Sequence, residues 1–485
     1  MLDGVWGIDS FMVFKLRLVI GAGLLLLILA GCRGYHAAPE VPPFQVPNAF
    51  GASGNVTASV KWWYSFKDSL MWRAVNNSLN SNFTIKSAFE RIKMAKAILQ
   101  KARAPLLPWI DAESSLSHRT IREGNRYVNL DQILLNANVS YEIDLWGRIN
   151  SGVEAARLEL AAQKADFQTA ILSLSSQVAS SYFEIVALRQ EKRYIRRQIE
   201  RNKASLKIIE EKYRFGQTDV LDLLQQKQLV EQNISNAIDV DKALATVARE
   251  FAVLLGVPTS SQLTVETAES LPVLPPLPAT GLPMELIKRR PDCLRAFLKL
   301  KAANARLAEA VSSQYPRLAI GGSVESSSSA LKDLLENWIA SIAANVVVPI
   351  FEGGRLEAEV RLREAEAKRL LYEYGQTLLN AIKEVDETLE IERRQKALIK
   401  NLRSRLELAR NSSLLLKEKY LAGDVEYLRF LASQISVDEL ERQLVRERLK
   451  LIQNRIRLYK AIAGPVDPDV VEFPNGPAET SRETR

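Results

Sequence analysis

Histidine and cysteine are nearly missing from this chain of 485 residues, which holds two of each. His36 and His118 stand far apart, and no Cys, His or Glu cluster has metal-ligand spacing. Neither a phosphate loop nor a G-x-S-x-G elbow occurs. The polar residues therefore offer no catalytic set, and no enzyme is expected. Only five methionines are present, so a dedicated metal relay has no support. The surplus of positive charge is small: 65 Lys and Arg against 57 Asp and Glu, a net +8. No basic cluster alternates with aromatics as nucleic-acid binding requires. That surplus reads as solvated helix faces, with no nucleic-acid partner. An uninterrupted apolar run long enough to span a bilayer is also lacking. Leu18 to Leu29 supplies roughly 12 residues where about 20 are needed.

That short run has another reading. Lys15 and Arg17 precede it, and it ends in Leu29-Ala30-Gly31-Cys32. Charged start, apolar middle and small residues before a cysteine make a secretory signal peptide with a lipobox. Residues 1–31 are expected to be removed, and Cys32 to carry a diacylglycerol and an N-acyl chain. No other cofactor is expected. Asp3 and Asp9 suit a signal peptide poorly, so Met12 is the expected translation start. Arg33, not Asp, follows the cysteine, which permits passage to the outer membrane. With Cys32 lipidated, Cys293 has no disulfide partner. It sits in a helical pattern as a small, semi-buried, unreactive residue.

What the chain has is a tandem repeat. Tyr141-Glu-Ile-Asp-Leu-Trp-Gly-Arg148 is answered by Val348-Pro-Ile-Phe-Glu-Gly-Gly-Arg355. Pro108 matches Pro316, Tyr213-Arg-Phe-Gly216 matches Tyr420-Leu-Ala-Gly423, and Leu255-Gly256 matches Ala463-Gly464. Landmarks at a near-constant offset indicate two copies of one unit. The first repeat is set at 69–256 and the second at 284–464. Before them, 32–68 is extended, apart from the packing anchors Trp62, Trp63 and Phe66. Between them lies a Pro-, Thr- and Ser-rich linker, 257–283. After them comes a polar tail, 465–485.

Each repeat runs helix, hairpin, long helix, turn, return helix. The first helix spans about Ser69 to Arg103 with a break near Asn80 to Asn82, and Pro105 and Pro108 end it. The first hairpin occupies 109–146. Trp109 to His118 is its first strand, and Arg119 to Asn129 is a polar loop. Leu135 to Trp146 then alternates. Leu135, Ala137, Val139, Tyr141, Ile143 and Leu145 face one way. Asn136, Asn138, Ser140, Glu142 and Asp144 face the other and are the pore-lining candidates. The second hairpin, 317–350, repeats the pattern. Four strands cannot close a barrel, and an open two-faced sheet has edges that aggregate. Strands of this length with one apolar and one polar face suit a wet-centred membrane barrel built from three chains. Each long helix, near Asn150–Tyr213 and Leu356–Tyr420, is about 95 Å long. Leu371, Tyr374, Leu378, Ile382, Val385 and Leu389 mark a coiled-coil seam. Two shorter helices stacked end to end nearly match each long one.

At this point the chain resembles the TolC family of outer-membrane efflux proteins, in its NodT-type lipoprotein branch. The resemblance rests on Trp62-Trp63 with Phe66, Arg91 with Pro108, Tyr141 to Arg148, Leu254-Leu-Gly-Val-Pro258, Arg289-Arg-Pro-Asp292, Pro349 to Arg355 and the two Tyr-x-x-Gly turns. It implies an α+β membrane protein. Three copies would form a twelve-stranded β-barrel, four strands per chain, continued by an antiparallel α-helical coiled-coil tunnel. It implies a homotrimer that meets outer-membrane lipid, a periplasmic adaptor and, through it, an inner-membrane RND-type pump. It assigns adaptor docking to the turn residues Phe215, Gly216, Gln217, Ala422, Gly423 and Asp424. Family members often carry an acid shortly after the second turn. Asp222 fits that spacing in the first copy, but Arg429 stands there in the second. A latch pairing Asp222 with Arg429 at the aperture is the expectation drawn from this departure. Two other readings compete with passive efflux: an outlet for an ABC-driven type I secretion system, and a periplasmic coiled-coil scaffold lipoprotein.

Overall fold

The computed structural model describes residues 44–55, 61–259 and 266–464. The lipobox at Cys32 and the tail 465–485 lie outside the described residues. The chain divides into two compact units. A strand unit holds Ile110–Ser151 and Asn304–Ala367. A helical unit holds the rest of the described residues.

In the strand unit, β1 (Trp109–Glu123), β2 (Arg126–Ile143), β3 (Arg317–Ser328) and β4 (Trp338–Val347) form one sheet in the order β1-β2-β3-β4. The register puts Ala137 beside Val324 and Ala340, and Tyr141 beside Ile320 and Ala344. Those residues share the apolar face predicted from alternation. Asn138, Ser323 and Ser341 line up on the opposite face, where the two serine hydroxyls lie 2.7 Å apart. One expectation fails. Arg119 to Asn129 is not a loop, because both strands continue through it and only Gly124 and Asn125 turn. Gly124, at φ +62°, takes the left-handed first position of a two-residue hairpin turn. Charged residues do not end a strand whose faces are both exposed, so composition misled here.

The helical unit contains α1 (Ser69–Ser81), α2 (Phe83–Arg103), α3 (Arg148–Arg214, whose first residues belong to the strand unit), α4 (Val220–Leu254), α5 (Pro283–Arg289), α6 (Pro291–Ser312, which ends in the strand unit), α7 (Arg355–Ala422, which begins there) and α8 (Tyr427–Ile462). The break between α1 and α2 falls at Asn82, as expected. The Asn82 side chain caps α2 at Thr84 and donates to the Leu254 carbonyl, while Ser81 Oγ donates to the Leu255 carbonyl. The end of α4 therefore meets the break inside the expected first helix, whereas end-to-end stacking of whole helices would have placed it at Ser69. Gly256 closes α4 at φ +70°, and a Cβ there would lie 2.8 Å from the Ser81 carbonyl oxygen. Glycine is required on both counts. The second copy solves the same problem with charge. The spacing that separates Pro108 from Pro316 also separates Asn82 from Arg290 and Leu254 from Ile462. Arg290, in the break between α5 and α6, donates to the Ala461 carbonyl at 3.0 Å and pairs with Asp292 and Glu384. Burial alone pushes the guanidinium pKa down; the Asp292 and Glu384 carboxylates more than reverse this and leave it raised.

The main core joins both copies. Trp62 and Trp63 are fully buried, and Trp62 stacks on Tyr459 with ring centroids 5.7 Å apart. Phe66, Phe183 and Phe251 complete the cluster. These aromatics are packing anchors, as their sequence predicted. The inter-repeat linker is fastened by guanidinium groups. Arg189 donates to Thr267 Oγ1 at 2.6 Å, Arg193 to the Glu269 carbonyl, and Arg448 to the Leu271 carbonyl at 3.0 Å. Arg455 donates to the carbonyls of Pro275 and Pro276.

Cys293 is buried in α6, and burial, with Asp292 adding, pushes its thiol up to about 12. The thiolate is the reactive form. Ellman's reagent should therefore label Cys293 slowly in folded protein and rapidly after denaturation. Fast labelling of the folded protein would contradict this placement.

Candidate functional site

The two helix turns are built alike. In the first, the Gln217 N–H donates to the Lys212 carbonyl at 2.8 Å and Gly216 N–H to Tyr213 at 3.0 Å. In the second, Asp424 N–H reaches Lys419 at 2.9 Å and Gly423 N–H reaches Tyr420 at 3.1 Å. Both are Schellman endings, which need a left-handed residue. Gly216 and Gly423 supply it at φ +66° and +85°. A Cβ at either glycine would meet nothing within 4 Å. The reason for glycine within the chain is thus backbone conformation.

Asp219 then caps α4, accepting from Leu221 N–H at 3.2 Å. Glu426 stands at the matching place before α8 and makes no side-chain cap. The turns are joined by residues that the sequence reading did not single out. Tyr427 is buried, and its hydroxyl bonds to Gln226 of α4. Gln226 in turn donates to the Asn202 carbonyl of α3 at 2.7 Å. Tyr420 packs on Tyr427 and stacks on Phe430, and Lys212 Nζ lies 4.5 Å above the Tyr420 ring. Burial, with Tyr420 and Asp222 adding, raises the Tyr427 pKa. The available signal was an aromatic at the first residue of α8, where the first copy carries Val220. Around this knot the surface is apolar. Phe215 is 73% exposed, and Leu221, Leu421 and Leu428 are exposed too.

The structure does not bring Asp222 and Arg429 together within one chain. Asp222 accepts from Thr218 Oγ1 at 2.6 Å, from the turn just before its own helix. Arg429 is exposed, and among the described residues its guanidinium has no ion pair. The local capping geometry uses Asp222 before Arg429 can.

On the sheet, Asn136, Asn138 and Ser140 carry the polar face of β2, and Asn138 Nδ2 donates to Asp111 Oδ2 at 3.2 Å. Glu142 and Asp144 are committed elsewhere. Glu142 takes a two-pronged bond from Arg148 at 2.8 and 2.9 Å. Asp144, just past the end of β2, accepts from the N–H groups of Ile149 and Asn150 at 3.0 and 2.8 Å. A carboxylate there satisfies the free donors at the start of α3. Trp146 stacks on Tyr315 and donates to the Pro316 carbonyl at 2.8 Å. The organising motif is therefore a strand-to-helix joint that holds the two copies together.

A two-faced sheet of two hairpins, two long helices and twin glycine turns define a tandem-repeat protein of membrane-channel type in its layout. The chain belongs to the outer membrane efflux protein family, whose model matches residues 74–257 and 282–464. The two matched stretches are the two repeats. It is similar to the pyoverdine export outer membrane protein OpmQ of Pseudomonas putida, with 28% identity over 432 residues, covering 87% of this chain and 92% of that protein. It is also similar to nodulation protein T of Rhizobium leguminosarum bv. viciae, with 27% identity over 467 residues, 92% of this chain and 93% of that one. A solved structure of CusC superposes with a TM-score of 0.79 at 24% identity, over 89% of this chain and 99% of that chain. The protein is an outer-membrane efflux protein with a TolC-like channel fold.

Proposed function

We propose that this chain is the exit duct of a tripartite efflux system. It passively conducts small molecules handed on by a periplasmic adaptor and an inner-membrane RND-type pump. The observation that carries this is the four-stranded sheet. Its apolar face is bare, with Ile342 89% exposed, and its order leaves β1 and β4 as open edges. Such a sheet is stable only when its edges are closed and its apolar face meets lipid. Three copies closing one twelve-stranded barrel satisfy both needs, and Asn136, Asn138 and Ser140 then line water. Acyl chains on Cys32 would anchor each copy to the same membrane.

The turns are the docking end in this reading. Exposed Phe215 and Leu421 offer apolar contact, and the Schellman glycines expose backbone near them. A photo-crosslinker at Gln217 in living cells should capture an RND-type adaptor, identified by mass spectrometry. Capture of an ABC-linked adaptor would move the reading to type I secretion. Capture of its own chain alone would favour the scaffold.

Arg429 is then free to pair across the boundary between copies, which relocates the latch. Arg429→Ala alone should sensitise cells to vancomycin as strongly as Arg429→Ala with Asp222→Ala, because Thr218 already occupies Asp222. Unchanged vancomycin sensitivity in both strains would remove the latch.

A further inference from the structure

The positive charge of this chain is gathered at one height of the helical unit. Over 189–207 of α3 there are eight Lys or Arg against two Asp or Glu, and over 393–410 of α7 seven against one. Each stretch alone carries +6, while the whole chain carries +8. The remainder of the chain is therefore net acidic.

The two stretches stand side by side because α8 holds both. Arg201 of α3 pairs with Asp438, and Arg410 of α7 pairs with Glu441 one turn further on. Arg446 of α8 reaches Glu191 at 2.9 Å, while Gln395 of α7 donates to the neighbouring Glu447 carbonyl at 3.0 Å. These acids of α8 use up a few of the cations and no more. Exposed Arg196, Lys203 and Lys207 on α3, and exposed Lys400, Arg403 and Arg405 on α7, have no carboxylate partner among the described residues. Arg403 and Arg410 line a groove of about 370 Å³ with Asn411 and Leu444. Crowding is evident at the adjoining Arg448, whose pKa is pushed down by burial and by the facing Arg403.

By helical rise, the band lies about 15–45 Å back from the glycine turns. It is therefore separate from the docking tips. It covers about 27 Å of the length of each of the two helices. The 393–410 stretch has no aromatic side chain, so nothing there stacks on a base. Spread, unpaired cations on two helices suit an extended polymer bearing many carboxylates better than one folded ligand.

We infer that this band binds the carboxylate-bearing peptidoglycan mesh of the periplasm, through Arg196, Lys203 and Lys207 on one side and Lys400, Arg403 and Arg405 on the other. The inference rests on the periplasmic placement of the helical unit in the reading above. Screening limits such attraction to low and moderate salt.

The test uses the full chain purified in detergent, pelleted with isolated peptidoglycan sacculi. Wild type should co-sediment at low salt and release at high salt. Lys400→Glu, Arg403→Glu, Arg405→Glu together should weaken sedimentation by about tenfold or more, as loss and reversal of three cations implies. Lys86→Glu, Lys93→Glu, Lys101→Glu on α2 changes net charge equally and should leave it unaltered. Sacculi whose carboxylates have been amidated should no longer pull the protein down. Equal loss in both triple variants would reduce the effect to net charge and overturn the inference. So would binding to amidated sacculi or salt-insensitive pelleting. If the α7 variant no longer assembles by size exclusion, Arg196→Glu, Lys203→Glu, Lys207→Glu on α3 takes its place, and retained binding by an assembled α3 variant overturns the inference equally. Binding carried by a co-purified adaptor, and abolished when that adaptor is removed, would assign the band to a protein partner instead. None of these outcomes bears on small-molecule efflux, which the Gln217 crosslink tests separately.

Discussion

Arg455→Ala is expected to destabilise the helical unit by about 3–5 kcal/mol, the usual cost of stripping one partner from a buried ion pair. Arg455 has no exposed surface, and its forked guanidinium meets both carboxylate oxygens of Glu392, itself 3% exposed at the side chain. It also serves the Pro275 and Pro276 carbonyls of the linker. Removing it leaves Glu392 with only Lys396 as a counter-charge and strands two carbonyls. Thermal unfolding of the purified protein, followed by circular dichroism, checks this. Arg455→Met with Glu392→Leu should recover most of the loss, because two apolar side chains of similar volume need no counter-charge. A double variant no more stable than Arg455→Ala would place the loss in the linker carbonyls alone. The pair also sets a direction with pH. Burial alone raises the Glu392 pKa, but Arg455 and Lys396 overcome this and leave it lowered. A carboxylate with a depressed folded pKa contributes its full stabilisation above the unfolded value, about 4.3. That contribution is lost as pH falls through the folded value. Wild type should therefore weaken in acid more steeply than the apolar double variant.

Ile342→Arg is expected to block assembly in the outer membrane, while Ser341→Arg is tolerated. The two residues are neighbours on β4 and face opposite ways. Ile342 pairs with Gly322, which pairs in turn with Val139, on the apolar face; Ser341 pairs with Ser323, which pairs in turn with Asn138, on the polar face. A cation on a lipid-facing strand costs about 2–4 kcal/mol near the bilayer centre and little on the water-facing side. By free energy alone that is a drop of at least about tenfold in correctly inserted protein. Trimer yield from outer-membrane fractions, read by semi-native electrophoresis, measures it. Equal loss in both variants would mean the sheet does not divide lipid from water as its faces imply.

The sequence showed most of the repeat, and for identifiable reasons. Long helices announce themselves through sustained periodicity, and the observed α3 and α7 differ from the expected ends by a few residues. The break at Asn82 was legible because a run of asparagines supplies its own cap. The charged half of the first hairpin was not, since strands that extend into water lose the apolar alternation used to find them. The turn glycines were legible as helix endings because only glycine readily takes the left-handed backbone such an ending needs. Glu142 and Asp144 follow the polar alternation of β2, yet their carboxylates are drawn to Arg148 and to the start of α3. The Tyr427–Gln226 contact was hidden because its partners are far apart in sequence and lie on different repeats. Net charge summed over the whole chain also concealed the band on α3 and α7, which becomes visible only when helices are aligned by their contacts.

The linker clasps carry a consequence for how this gene could have arisen. Arg189 and Arg193 come from the first copy, Arg448 and Arg455 from the second, and all four grip one segment between Thr267 and Pro276. The Trp62 cluster likewise draws on Tyr459 from the far end of the chain. Neither half of the present gene is thus expected to encode a product that folds by itself. After the copies fused, each surrendered part of its own interior to the other. Asn82 and Arg290 record the divergence that followed, one seam kept neutral and its twin recast in charge. Splitting the reading frame at the linker should therefore return two fragments, not two ancestors.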